Sequence, residues 1–162
     1  LVAHATSLRY TIQVLLRREN MREISKYASM IYRCGQIYYD EYLTPYHIGC
    51  GQQFFLLRIY EKPGISPYEL ASMGMYDKGT CARALKKLEG EGYIERVVDT
   101  HDRRLQHLFI STKGKELIPI IQKMLDEWYE AICIDFSEEE RSMAGELMRR
   151  ISEHAMHAIG RR

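Results

Sequence analysis

The sequence predicts a mainly α-helical fold with a single small β element, and three observations predict it. Apolar residues recur at helical spacing through most of the 162 residues. Ser66, Asp77 and Ser137 each stand where a helix N-cap belongs, and Ser66 and Ser137 are followed three residues later by a glutamate. One segment, Tyr93 to Ser111, instead carries β-forming residues and two-residue alternation on either side of a polar tip.

Taken in order, the first clear helix runs from Arg22 to about Leu43. Ile24, Tyr27, Ala28, Ile31, Cys34, Tyr38 and Tyr42 form its amphipathic stripe. Thr44-Pro45 ends it, because the residue before proline disfavours helix. Residues 1–21 are set apart as an extension, since Met21 opens a segment that already reads as a helix start. A second helix fits Gly51 to Glu61, apolar on most sides through Phe54, Phe55, Leu57 and Ile59, and Lys62-Pro63-Gly64 stops it. Ser66, Pro67 and Glu69 then supply an N-cap, a first helical residue and the far side of a capping box. That third helix is short, ending near Met73, and Gly74 supplies the turn.

Asp77 caps a fourth helix that lasts to about Glu91, until Gly90 and Gly92 break it. Cys81, Leu85 and Leu88 are spaced to face inward, which leaves Lys78, Ala82, Arg83, Lys86 and Lys87 outward. Strands at Tyr93–Val98 and about Gln106–Ser111 flank the tip Asp99-Thr100-His101-Asp102-Arg103-Arg104. Thr112 caps a long helix through about Ile134, with Pro119 in its opening turns. Ser137 and Glu140 open a last helix to about Ile159. Capped short helix, glycine turn, basic helix, strand, basic tip and strand make up a winged helix-turn-helix, here framed by long N- and C-terminal helices.

Bulk composition bounds the function. With 46% apolar and 28% charged residues and no long apolar run, the chain suits a compact domain rather than disorder or a membrane span. Formal charge is only +1, so composition alone does not announce a polyanionic partner. Distribution says more: Asp77 to Lys115 holds nine basic and six acidic residues. Cys34, Cys50, Cys81 and Cys133 are scattered without a C-x-x-C pair. With no secretory signal, they read as buried or free thiols in a reducing cytoplasm. No G-x-S-x-G, phosphate-binding glycine loop, H-E-x-x-H or dinucleotide fingerprint is present, so no enzyme is expected and no cofactor is implied.

A short helix, a turn and a second helix have a known use. The major groove of B-DNA admits one helix, and its base edges display a distinguishable donor and acceptor pattern. A helix-turn-helix sets the N-terminal part of its second helix there. Lys78, Thr80 and Arg83 are therefore the candidates for base edges or adjacent phosphates, and the small Gly79 and Ala82 let the backbone approach closely. Lys86 and Lys87 lie further along, where phosphates are the expected partners. Ser66, Pro67 and Tyr68 start the bracing helix, whose positive dipole end suits a phosphate. At the tip, Arg103 and Arg104 could enter a narrow minor groove. The bland reading of each signal is a solvated face or a polar turn, and winged helices also serve as protein-interaction modules whose basic face meets an acidic partner.

In order and spacing these residues resemble the MarR/SlyA regulators. The matching runs are Glu69-Leu70-Ala71, Asp77-Lys78-Gly79-Thr80, Arg83 to Glu89, Gly92 to Arg96, Asp102-Arg103-Arg104 and Ser111 to Gly114. The resemblance covers roughly Arg22 to Ile159. It implies a homodimer in which residues 22–48 and 112–159 form a helical dimerisation region and residues 49–111 a winged-helix DNA-binding domain. It also implies a pseudo-palindromic operator in double-stranded DNA and, by analogy, repression. Arg83 then corresponds to the recognition-helix arginine and Arg104 to the wing-tip arginine, with Asp102 holding the wing arginines by ion pairing. One departure is Gly79, where the family commonly has serine, so a hydroxyl contact is missing.

Members of the family often release DNA when a small aromatic acid or phenol, an oxidant or a metal binds. Six of the twelve tyrosines lie between Tyr27 and Tyr46, and Arg33 sits near Met30 and Ile37 on the first helix. With Phe54 these could form an effector pocket with Arg33 as a carboxylate clamp; the competing reading is a dimer core and a surface arginine. A redox-responsive regulator using a cysteine is an alternative. The family's peroxide sensors, however, place that residue where Ser25 stands, so Cys34 or Cys50 would need another geometry. His154 and His157, with His47 and Glu41, assemble no set of four metal ligands.

Overall fold

The computed structural model describes residues 2–102 and 104–160, with residues 2–22 described as backbone only. The described residues form six α-helices, one short 3-10 turn and a two-stranded antiparallel sheet. The order is α1 (Val2–Leu43), the turn Thr44–Tyr46, α2 (Cys50–Glu61), α3 (Pro67–Met73), α4 (Lys78–Gly90), β1 (Ile94–Val98), β2 (Gln106–Ile110), α5 (Thr112–Ile132) and α6 (Glu138–Ile159). Two compact units result, Leu1–Gln122 and Lys123–Arg162.

The extension did not stay separate: α1 is one helix from Val2 to Leu43. Residues 2–21 contain neither glycine nor proline and are rich in Leu, Ala and Arg, so nothing in the backbone chemistry interrupts a helix there. The helix stops where expected, and His47 (φ 58°) closes the 3-10 turn in the left-handed region.

α2 lacks a side chain on its own N-cap, Gly49, and α1 supplies the substitute. The Asp40 carboxylate accepts the Cys50 N–H at 2.7 Å, and Gln52 Oε1 accepts the Gly49 N–H at 2.9 Å. A side chain at position 49 would collide with that carboxylate. Phe55, Leu56 and Ile59 of α2 are fully buried. They share the core of the first unit with Leu70, Leu85, Leu88 and Leu108. Each such side chain contributes about 1.5–3 kcal/mol by leaving water.

The helix-turn-helix forms as its caps demand. Ser66 Oγ accepts the Glu69 N–H at 3.2 Å while Glu69 Oε2 accepts the Ser66 N–H at 3.0 Å. Asp77 Oδ1 accepts the Thr80 N–H at 2.9 Å. The turn itself differs from expectation. Gly74 has an ordinary φ of −98°, and Met75 (φ 55°) takes the left-handed conformation. Glycine is needed at 74 for space, because a Cβ there would lie 2.5 Å from the Tyr76 ring and 2.6 Å from Phe54.

β1 and β2 pair in register from Ile94↔Ile110 to Val98↔Gln106. Ile94 and Leu108 face the core. A third edge comes from the α2–α3 loop: Gly64 N–H donates to Leu108 O (2.8 Å) and Leu108 N–H to Ile65 O (3.1 Å), which Gly64 permits with φ +83°. Ser111 rather than Thr112 caps α5. Its Oγ accepts the Gly114 N–H at 3.0 Å and donates to Gly92 O at 2.7 Å, tying the helix start to the turn before β1. α5 ends at Ile132, and α6 opens on the Ser137–Glu140 capping box.

Candidate nucleic-acid interface

The outward face of α4 is set by what its inner face buries. Cys81, Ala84, Leu85 and Leu88 face the core, so Lys78, Gly79, Ala82, Arg83, Lys86 and Lys87 are exposed. Along the first turn a directed chain of hydrogen bonds runs back toward the N-terminus. Arg83 Nη2 donates to Thr80 Oγ1 (2.9 Å), and that hydroxyl donates to Asp77 Oδ2 (2.6 Å). The Thr80 hydroxyl and backbone N–H hold the Asp77 carboxyl below its ordinary value. Lys87, in contrast, is engaged with Glu91 at 2.7 Å.

The start of α3 offers fewer free amides than its position suggests. Ser66 N–H and Glu69 N–H are consumed by the capping box, and Pro67 has none. Glu69 carries its charge firmly: the Ser66 N–H, then Lys62 at 3.0 Å, draw its carboxyl down to about 2. Tyr68, at 71% exposure, is the most exposed large hydrophobic side chain of α3. A shallow groove of about 320 Å³ lies between α3, α4 and the wing base, bounded by Pro67, Tyr68, Lys78, Ala82, Arg96 and Gln106.

The wing tip is built on two aspartates. Asp99 Oδ1 accepts the N–H groups of His101 (2.7 Å) and Asp102 (3.0 Å), and Asp102 Oδ1 accepts the Arg104 N–H at 2.9 Å. Arg104 Nε lies 4.0 Å from the same Asp102 oxygen, with its side chain 94% exposed. Arg103 falls outside the described residues.

Two positions that the sequence reading passed over hold the wing to the helices. Arg96 Nη1 donates to Gln106 Oε1 (2.7 Å) and its Nη2 reaches Glu89 of α4 at 3.4 Å. His107 bridges the Gly64 carbonyl (Nδ1, 3.0 Å) and Asp99 Oδ2 (Nε2, 3.1 Å). Those acceptors raise the imidazole's pKa. The Asp102 amide, then the His101 amide and His107, bring Asp99 down to about 2. The two strands were legible, but the register Val97↔His107 and the partner on the α2–α3 loop are set by tertiary contacts that left no local signal.

This arrangement has known counterparts. The MarR family model matches residues 51–105, which is the stretch from α2 to the end of the wing tip. An uncharacterised HTH-type transcriptional regulator, YybA of Bacillus subtilis (strain 168), is 37% identical over 101 residues, covering 62% of this chain and 67% of that protein. The crystal structure of a MarR transcriptional regulator from Methanosarcina mazei Go1 superposes with a TM-score of 0.81 at 38% identity, covering 85% of this chain and 99% of that one. The chain belongs to the MarR family. A more distant member of the same fold, Streptococcus pneumoniae FabT, solved in complex with DNA, matches with a TM-score of 0.72 at 24% identity over 85% of this chain and 99% of that one. As a MarR-family chain it stands among transcriptional regulators rather than enzymes.

The residues expected to bind an effector in this MarR-family chain are distributed as follows. Met30, Arg33 and Ile37 lie on the exposed side of α1. Phe54 of α2 packs its ring against Phe55 (5.4 Å) and Tyr76 (5.3 Å). Of the cysteines, Cys81 and Cys133 are buried, Cys50 is half-buried and Cys34 is exposed. Burial, then the Asp40 carboxylate, push the Cys50 thiol up, and burial does the same to Cys81, which is the opposite of thiolate activation. Among the described residues no group of three or more His, Cys, Asp or Glu side chains gathers to hold a metal, and no helix is long and apolar enough to cross a membrane.

Proposed function

We propose that the chain binds a pseudo-palindromic operator in double-stranded DNA as a homodimer and acts in the cytoplasm as a repressor. The observation that carries this reading is the capped α3–turn–α4 unit whose first two helical turns bear exposed Lys78 and Arg83 and half-buried Thr80, with small exposed Gly79 and Ala82 between them. A helix so presented fits the major groove, with Lys86 placed for phosphates. Arg104, its side chain 94% exposed and 4.0 Å from Asp102, is available at the wing tip for the minor groove, with Arg103 beside it in sequence and Asp102 setting the tip's backbone. Ser66, Pro67 and Tyr68 open α3, the bracing helix, whose positive dipole end is placed for a phosphate. The FabT complex with DNA supports this use of the fold.

The functional division proposed is residues 49–111 for DNA and residues 22–48 with 112–159 for dimerisation. Exposed apolar side chains on α1 (Ile24, Tyr27, Ile31) and on α6 (Met143, Leu147, Ile151) support self-association, since such rows cost solvation if left bare. Dimerisation would space two recognition helices by about 34–36 Å, one turn of DNA. Release by a small aromatic acid or phenol at Met30, Arg33, Ile37 and Phe54 completes the reading. The test is Arg83→Ala: specific binding to a duplex selected by the protein from a random-sequence pool falls at least tenfold while the sedimentation coefficient stays that of the dimer. Unchanged affinity, or loss of the dimer, contradicts the assignment.

A further inference from the structure

The guanidinium of Arg83 is not a loose surface group. Its Nη2 donates to Thr80 Oγ1 at 2.9 Å, and the hydroxyl's only proton is committed to Asp77 Oδ2 at 2.6 Å, so the hydroxyl can only accept from Arg83. Asp77 is itself anchored, because its other oxygen accepts the Thr80 N–H at 2.9 Å. The guanidinium therefore lies back along the first turn of α4, the direction helical side chains favour. It passes over Gly79: a Cβ at that position would stand 3.3 Å from Arg83 Nη1 and 3.1 Å from Asp77 Oδ1, tighter than ordinary van der Waals contact. The space that a side chain at 79 would take is the space the guanidinium uses.

We propose that Gly79 and Thr80 are positioning residues that hold Arg83 in one orientation, and that this orientation sets a preference for guanine at the base pair Arg83 meets. The inference rests on the DNA-reading role proposed above. Arginine has five donors in a rigid fork, and Thr80 consumes one of them. The remaining Nη donors suit the O6 and N7 acceptors of guanine, the pairing that rewards a fixed fork most. A mobile arginine would spread the same charge over neighbouring phosphates and lose discrimination without losing affinity. Thr80 and Gly79 thus act on which sequence is bound more than on how tightly DNA is held.

The test uses the full chain and a duplex that it selects from a random-sequence pool, with every half-site base pair then substituted singly. Fluorescence anisotropy reads the penalty at each position for the wild type, Arg83→Ala, Thr80→Val, Thr80→Ser and Gly79→Ala. Arg83→Ala should abolish the penalty at one guanine per half-site, worth about 5- to 150-fold in the wild type. Thr80→Val and Gly79→Ala should cut the penalty at that same position at least fivefold, more than at any other position, and should not change that position further on the Arg83→Ala background. Thr80→Ser keeps the hydroxyl and should keep the preference. Alanine favours the helix more than glycine, so lost discrimination in Gly79→Ala cannot be ascribed to unfolding. If Arg83→Ala erases one position's penalty but Thr80→Val and Gly79→Ala leave it intact, or lower all positions equally, the positioning role is wrong. If Arg83→Ala changes no position, the reading of the site itself fails and takes this inference with it.

Discussion

Replacing Gly114 by alanine is expected to destabilise the protein although it improves helix propensity. Gly114 sits in the first turn of α5, where the added methyl would collide with the Tyr93 carbonyl oxygen and lie 2.6 Å from Ile110 Cγ1. The Tyr93 carbonyl cannot retreat cheaply. The Tyr93 carbonyl accepts the Ser111 N–H at 3.0 Å, its residue is 4% exposed, and its hydroxyl donates to the Tyr46 carbonyl at 2.9 Å. Alanine in a helix gains about 0.5–1 kcal/mol over glycine. Overpacking against a fixed partner costs about 1–3 kcal/mol, and more where backbone must move. The net is a loss of about 1–2 kcal/mol, or roughly 2–8 °C in Tm for a chain of this size. Gly90, with nothing within 4 Å of its ideal Cβ, provides the control: its alanine variant should be as stable as the parent or gain up to about 1 kcal/mol. Urea unfolding at one protomer concentration measures both. Gly114→Ala matching Gly90→Ala in stability would refute the steric argument.

Two other perturbations test the wing and the proposed effector wall. His107 is raised above 6.5 by the Gly64 carbonyl and Asp99, with Glu69 adding to the negative field, so its contribution is full below pH 6.5 and is lost as pH rises through its folded-state value. Asp99 is lowered from 3.8 to about 2, so its contribution is present above pH 3.8 and is lost only toward about pH 2. The wing base should therefore be tightest between pH 3.8 and 6.5. Hydrogen exchange at the Leu108 amide, corrected for intrinsic base catalysis, should accelerate above that window in the parent and not in His107→Gln; identical profiles would remove the clamp. Arg33→Ala should abolish the thermal shift produced by an aromatic acid such as salicylate, while an unaltered shift would exclude Arg33 as its carboxylate partner.

The parts of this fold that were legible in the sequence are those decided within four residues. Ser66 with Glu69, Asp77 with Thr80, and Ser137 with Glu140 announce three helix starts because the capping chemistry is local. The inward row Cys81, Leu85, Leu88 and the outward basic row follow from helical period alone. What escaped depends on partners distant in sequence. The Ile65↔Leu108 bridge and the His107–Gly64 contact join residues more than forty positions apart. Gly74 shows the difference within one residue: a glycine turn was foreseen, but its cause is the approach of Phe54 and Tyr76 rather than a left-handed backbone. The Arg83–Thr80–Asp77 chain lies between these cases. Its spacing is local and its residues were singled out, yet the direction of its hydrogen bonds needed coordinates.

The central claim is that the outward face of α4 and the wing tip bind DNA by sequence and by phosphate charge together. The most direct measurement is the salt dependence of affinity for the selected duplex, against a scrambled duplex of equal length. If Lys78, Lys86 and Arg104 of each protomer neutralise one phosphate apiece, log Kobs should fall with log salt at a slope of about −5. The selected duplex should also bind at least about a thousandfold more tightly than the scrambled one. A slope near zero, or equal affinity for the two duplexes, would contradict the account.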